Sequence, residues 1–123
     1  MKKIFYYTDV LPILSKQKEA LSKIKRNLET FKDSSEDITL VWHPYSRTEE
    51  FLKLNKCPAE AEYRKIVEDF KNAGWGVFDE APTLDEAKKV LSGCDAYYGD
   101  SCDLIYEAQK KNIPVMLQDI AVV

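Results

Sequence analysis

A chain of 123 residues with 45% hydrophobic and 32% charged side chains has the composition of one globular domain, long enough to bury a core. Its formal net charge of -3 and its lack of a Lys/Arg-rich tract exclude nucleic acid and anionic membrane as partners drawn in by overall charge. No apolar run approaches the about 20 residues needed to cross a bilayer, and Met1 leads into a strand pattern rather than a signal peptide, so the expected location is the cytoplasm.

Lys2 to Tyr7 (KKIFYY) is aromatic and β-branched and reads as a central strand, ending at the polar pair Thr8-Asp9. Val10 to Leu14 (VLPIL) contains Pro12 and reads as an apolar loop, too short for a helix, that folds on the core or covers a partner. From Ser15 a helix is expected, with Ala20, Leu21, Ile24, Leu28 and Phe31 on one stripe and six basic side chains between Lys16 and Lys32 on its wet face. Asp33 to Asp37 is the turn that follows.

Ile38 to Trp42 (ITLVW) is a second buried strand that delivers His43 to its carboxyl end, with Pro44 stopping the ladder. A polar loop over Tyr45 to Thr48 leads to a short helix at about Glu49 to Leu54. Ala61, Ile66, Val67, Phe70 and Ala73 mark a longer helix closed at Gly74, and Trp75 to Phe78 is a third strand. Thr83 with Glu86 forms a capping-box pattern before a helix whose buried face is Leu84, Ala87 and Leu91.

The most informative stretch runs from Cys94 to Gln118. Cys94 to Tyr98 is short and apolar, as a buried parallel strand is, and Gly99 breaks it. Asp100 and Ser101 are N-cap residue types, and Leu104, Ile105 and Ala108 give the apolar face of the next helix. Asn112 and Pro114 end that helix before a last strand, Val115 to Leu117.

Five strand–helix alternations with right-handed crossovers predict an α/β fold. The sheet is a three-layer, Rossmann-like parallel one of five strands in the order 3-2-1-4-5, with residues 1–123 as a single domain. The first and fourth strands are then neighbours, and the crevice between their carboxyl ends is the expected ligand site. Thr8, His43, Gly99, Asp100, Ser101 and Cys102 are placed there, with the Gly99–Cys102 turn presenting free backbone N–H groups to an anion. His43 reads as a general base, as an imidazolium donor to phosphate, or as a plain surface residue. Cys102 reads as a small buried hydrophobe or as a thiolate activated by the helix start. Asp100 reads as a cap or as a partner for a sugar hydroxyl. With three cysteines lacking zinc-type spacing and one histidine, neither a disulfide framework nor a structural metal is expected. No glycine-rich dinucleotide or ATP loop occurs.

The segments TLVWHPYSR, FKNAGWGVFDEAPTLDEA and DAYYGDSCDLIYEAQKKNIPVMLQ together resemble the carboxyl-terminal half of bacterial CDP-glycerol glycerophosphotransferase-like proteins, which have the two-domain GT-B arrangement. The similarity extends from the first strand to Gln118, with Cys102 standing where the family has a second serine. The resemblance implies that His43, Asp100, Ser101 and Cys102 face the diphosphate of a nucleotide donor, CDP-glycerol first and a nucleotide sugar second. It further implies no resident cofactor, an amino-terminal domain or partner subunit that holds the acceptor, and work at the inner membrane face in cell-surface polymer synthesis. The competing expectation is a non-catalytic interaction domain that docks through its cleft face.

Overall fold

The computed structural model describes residues 2–118. Five strands, β1 (Lys2–Thr8), β2 (Ile38–Pro44), β3 (Val77–Phe78), β4 (Ala96–Gly99) and β5 (Val115–Leu117), form one all-parallel sheet in the order β3-β2-β1-β4-β5, as expected. Because side chains alternate across a strand, β1 and β2 each supply both faces of the sheet. Tyr6, Leu40 and Trp42 pack against α1 (Leu11–Lys16), α2 (Lys18–Asp33), α3 (Thr48–Leu54) and α4 (Glu60–Ala73). Phe5, Tyr7, Val41 and Tyr97 pack against α5 (Leu84–Ser92) and α6 (Leu104–Lys110) on the other face. Among the described residues no helix is long and apolar enough to cross a membrane.

Four local expectations are corrected. Val10 to Leu14 is not a loop: Pro12 falls in the first turn of α1, where a missing N–H costs nothing, and Ile13 and Val10 are buried. The next helix therefore starts at Lys18, after a break at Gln17 with φ 48°. On α4 the buried stripe runs through Tyr63, Ile66, Val67 and Phe70, which leaves Ala61 on the opposite face and Ala73 at the stripe's edge, both exposed. Leu84 is exposed at the start of α5, although Thr83 Oγ1 caps that helix by accepting from Glu86 N at 3.2 Å.

The fourth correction concerns the predicted site. The chain leaves β4 at Gly99 but does not enter α6 until Leu104, and neither Asp100 nor Ser101 caps it. The helix expected to open at the Gly99–Cys102 turn begins instead at Leu104, so Gly99 to Ser101 form a loop ahead of it and only Cys102 receives a backbone N–H of the helix start.

The aromatic core also sets an alkaline limit. Burial pushes the Cys94 thiol from 9.0 up to about 11, and burial raises the Tyr6 and Tyr63 phenols above their ordinary value. An acid whose value is raised by folding stays protonated in the fold while the unfolded chain ionises, so stability is lost as pH climbs through that interval. Urea unfolding at about pH 8 and about pH 10.5 should show a clear drop in midpoint at the higher pH, Cys94→Ala removing part of it.

Candidate functional site

Where the chain order of the strands reverses, β1 lies between β2 and β4, and the carboxyl ends of all three meet. The backbone ties them closely. Tyr45 N donates to Thr8 O at 2.8 Å, Asp100 N to Tyr7 O at 3.0 Å, and Gln118 N to Gly99 O at 2.9 Å.

The alternation of β1 and β2 decides which side chains share a face. Thr8 follows Tyr6 onto the face of α1 to α4, where it is 1% exposed and its hydroxyl accepts from Trp42 Nε1 at 3.0 Å. Thr8 is thus at the expected edge but is turned away from the α5–α6 side and engaged with an indole. His43 follows Val41 onto the face of α5 and α6. It is 4% exposed and stacks on Phe5 and Tyr7 with ring centroids 5.4 and 6.0 Å away.

His43 Nδ1 lies 2.8 Å from Asp79 Oδ2. The register of β2 and β3 produces this contact: Trp42 pairs with Phe78, and Asp79 N donates to Trp42 O at 2.9 Å, which sets the next side chain beside the imidazole. Sequence reading missed Asp79. The available signal was an acidic residue directly after the third strand, in the same position relative to that strand as His43 to its own.

The loop after β4 holds the remaining candidates. Gly99 has φ 137°, and a Cβ there would lie 2.1 Å from Tyr7 O, so only glycine permits β1 and β4 to approach. Asp100 is buried, accepting from Asp9 N at Oδ2 (2.8 Å) and from Gln118 Nε2 at Oδ1 (3.4 Å). Its carboxylate closes the start of the first crossover onto the end of β5. Ser101 is exposed on this loop.

Cys102 is half-buried, with its Sγ 3.5 Å from Tyr97 Oη, whose hydroxyl also lies against Asp100 O. Burial pushes the Cys102 thiol up, against hydrogen bonds from Tyr97 and the Leu104 backbone that pull it down. The start of α6 does favour the thiolate through the Leu104 N–H, as considered from sequence, but burial outweighs it. Alkylation by iodoacetamide should therefore be slow at neutral pH, quicken only on the alkaline side, and be unchanged in His43→Ala; fast, His43-dependent modification at neutral pH would contradict this.

His43 and Cys102 line one groove of about 260 Å³ between the sheet edge, α5 and the loop before α6. Tyr7, Tyr45, Ser46 and Thr83 complete its polar wall, with Leu84 and Leu104 on the apolar side. Ser46 and Thr83 were not singled out from sequence, because only the folded loops bring them beside His43. Among the described residues, Asp103 is the one acidic side chain on the wall, and no lysine or arginine contributes to it. Of the six residues predicted for the site, the groove joins His43 and Cys102. Ser101 lies exposed on the adjoining loop, Gly99 and Asp100 build that loop, and Thr8 faces the opposite layer.

Comparison of the chain with protein-family models, curated proteins and solved structures finds no match.

Proposed function

We propose that the groove beside His43 receives the diphosphate of a nucleotide conjugate, CDP-glycerol first and a nucleotide sugar second. The chain would then serve as the donor-binding half of a glycerophospho- or glycosyltransferase of cell-surface polymer synthesis. The observation that carries this reading is the placing of the chain's one histidine in a groove at the reversal point of a doubly wound sheet, where such folds bind ligands. The quoted resemblance supplies the ligand class. His43 meets the phosphate charge as an imidazolium or takes the proton of an attacking acceptor hydroxyl, with Ser46 and Thr83 hydroxyls beside it. An acceptor must be held by a second domain or subunit, since positioning both reactants and excluding water needs two walls.

With no lysine or arginine on its wall, the groove binds such a donor weakly when alone. A calorimetric titration with CDP-glycerol should show saturable but weak binding, without turnover. Absence of any binding, together with a stable dimer in light scattering, would favour the docking alternative, to which the 66% exposed Leu11 on α1 gives a specific foothold.

A further inference from the structure

His43 has two ring nitrogens, and the structure assigns them different work. Nδ1 is occupied by Asp79, whereas Nε2 has no hydrogen-bond partner among the described residues. No buried side-chain nitrogen or oxygen among those residues lacks a partner, so Nε2 is not sealed in the core, and His43 is one of the residues that line the groove. The ring plane is fixed independently by stacking on Phe5 and Tyr7.

An Asp79 carboxylate can only accept, so the proton shared with Nδ1 belongs to the imidazole. In the neutral ring this leaves Nε2 as the lone-pair nitrogen; in the imidazolium it leaves Nε2–H as the free donor. The other titratable groups around the ring do not compete for Nδ1. Tyr7 and Cys102 are both held protonated by burial, and Tyr45 and Asp103 stand on the groove wall. Asp79 itself is anchored through its backbone N–H to Trp42, so its carboxylate moves with the sheet rather than with the loop.

We propose that Asp79 is a positioning residue that locks His43 in the Nδ1–H form and makes Nε2 the one nitrogen that meets the ligand. The inference rests on the donor-binding reading only for the identity of that ligand; the tautomer is a property of the free protein. Asp79 acts through His43.

Long-range proton–nitrogen NMR of the full chain, recorded at a pH where the ring is neutral, tests this directly. The parent should show a protonated Nδ1 and an unprotonated Nε2, and added CDP-glycerol should move the Nε2 resonance and leave Nδ1 bonded to hydrogen. Asp79→Asn, whose amide oxygen can still accept from Nδ1–H, should keep the tautomer. Asp79→Ala should release it, mixing in the Nε2–H form and weakening CDP-glycerol about tenfold, the loss of one charged hydrogen-bond partner. An Nε2–H ring in the parent, or an unchanged tautomer in Asp79→Ala, would overturn the assignment, and the parent spectrum alone decides if that variant does not fold. A locked Nδ1–H ring that CDP-glycerol fails to perturb would sustain the assignment and remove the donor instead.

Discussion

Gly99→Ala is expected to leave the chain largely unfolded, at a cost of at least about 3 kcal/mol. Two penalties combine. The backbone at φ 137° is one that residues with a Cβ rarely adopt, and the new methyl would meet Tyr7 O at 2.1 Å and Tyr7 N at 2.9 Å. Those atoms belong to β1, which is bonded on its other side to β2 along its whole length, so they cannot recede without opening the centre of the sheet. Gly74→Ala is the control. Gly74 has φ 74° but nothing within 4 Å, so the strain stands alone and the expected cost is about 1 kcal/mol. Urea unfolding of both variants separates the close approach from the dihedral, and similar costs would refute the argument.

Asp100→Ala should destabilise by about 2–4 kcal/mol, the second largest effect expected outside the apolar core. The buried carboxylate accepts from the backbone of Asp9 and the side chain of Gln118, whose Oε1 in turn accepts from Asn27 on α2 at 2.5 Å. Asn27 also reaches the Tyr6 hydroxyl at 3.1 Å. Truncation removes the acceptor for a part-buried N–H and breaks a chain that runs from the loop after β4 to α2. Asp100→Asn keeps one carbonyl oxygen for Asp9 N and should recover about half of the loss. Thermal unfolding of the pair checks this. Equal stability of Asp100→Ala and the parent would mean that the carboxylate is held for a ligand and not for the fold.

Both variants fall in the turn that sequence reading marked as an anion site, and the reason lies in what sequence can carry. Periodicity and turn residues fix which segments are strands and helices, and crossover handedness with chain order fixes the sheet, so the order 3-2-1-4-5 was legible. The location of His43 at a strand end was legible for the same reason. Two things were not. A one-residue difference in register decides which layer a side chain joins, so Thr8 and His43, both at strand ends, emerge on opposite faces. A Gly-Asp-Ser run looks alike whether it opens a helix or leads into a loop, and only the contact of Asp100 with Asp9, 91 residues away in sequence, shows that the acid is used to close the fold. Asp79 escaped notice because its meaning depends on the pairing of β2 with β3, the shortest strand of the sheet. The α1 segment was misread because Val10 to Leu14 was taken as too short for a helix, whereas the helix that has Pro12 in its first turn runs on to Lys16.

The central claim is that a donor diphosphate meets His43 in the groove between the sheet edge, α5 and α6. Calorimetric titration of CDP-glycerol into three proteins tests it: the parent, His43→Ala, and Thr8→Val, which removes a hydroxyl at the same sheet edge on the opposite face. The account predicts that His43→Ala weakens binding at least about tenfold while Thr8→Val, though less stable, binds as the parent does. Equal affinity of the parent and His43→Ala, or loss confined to Thr8→Val, would contradict it.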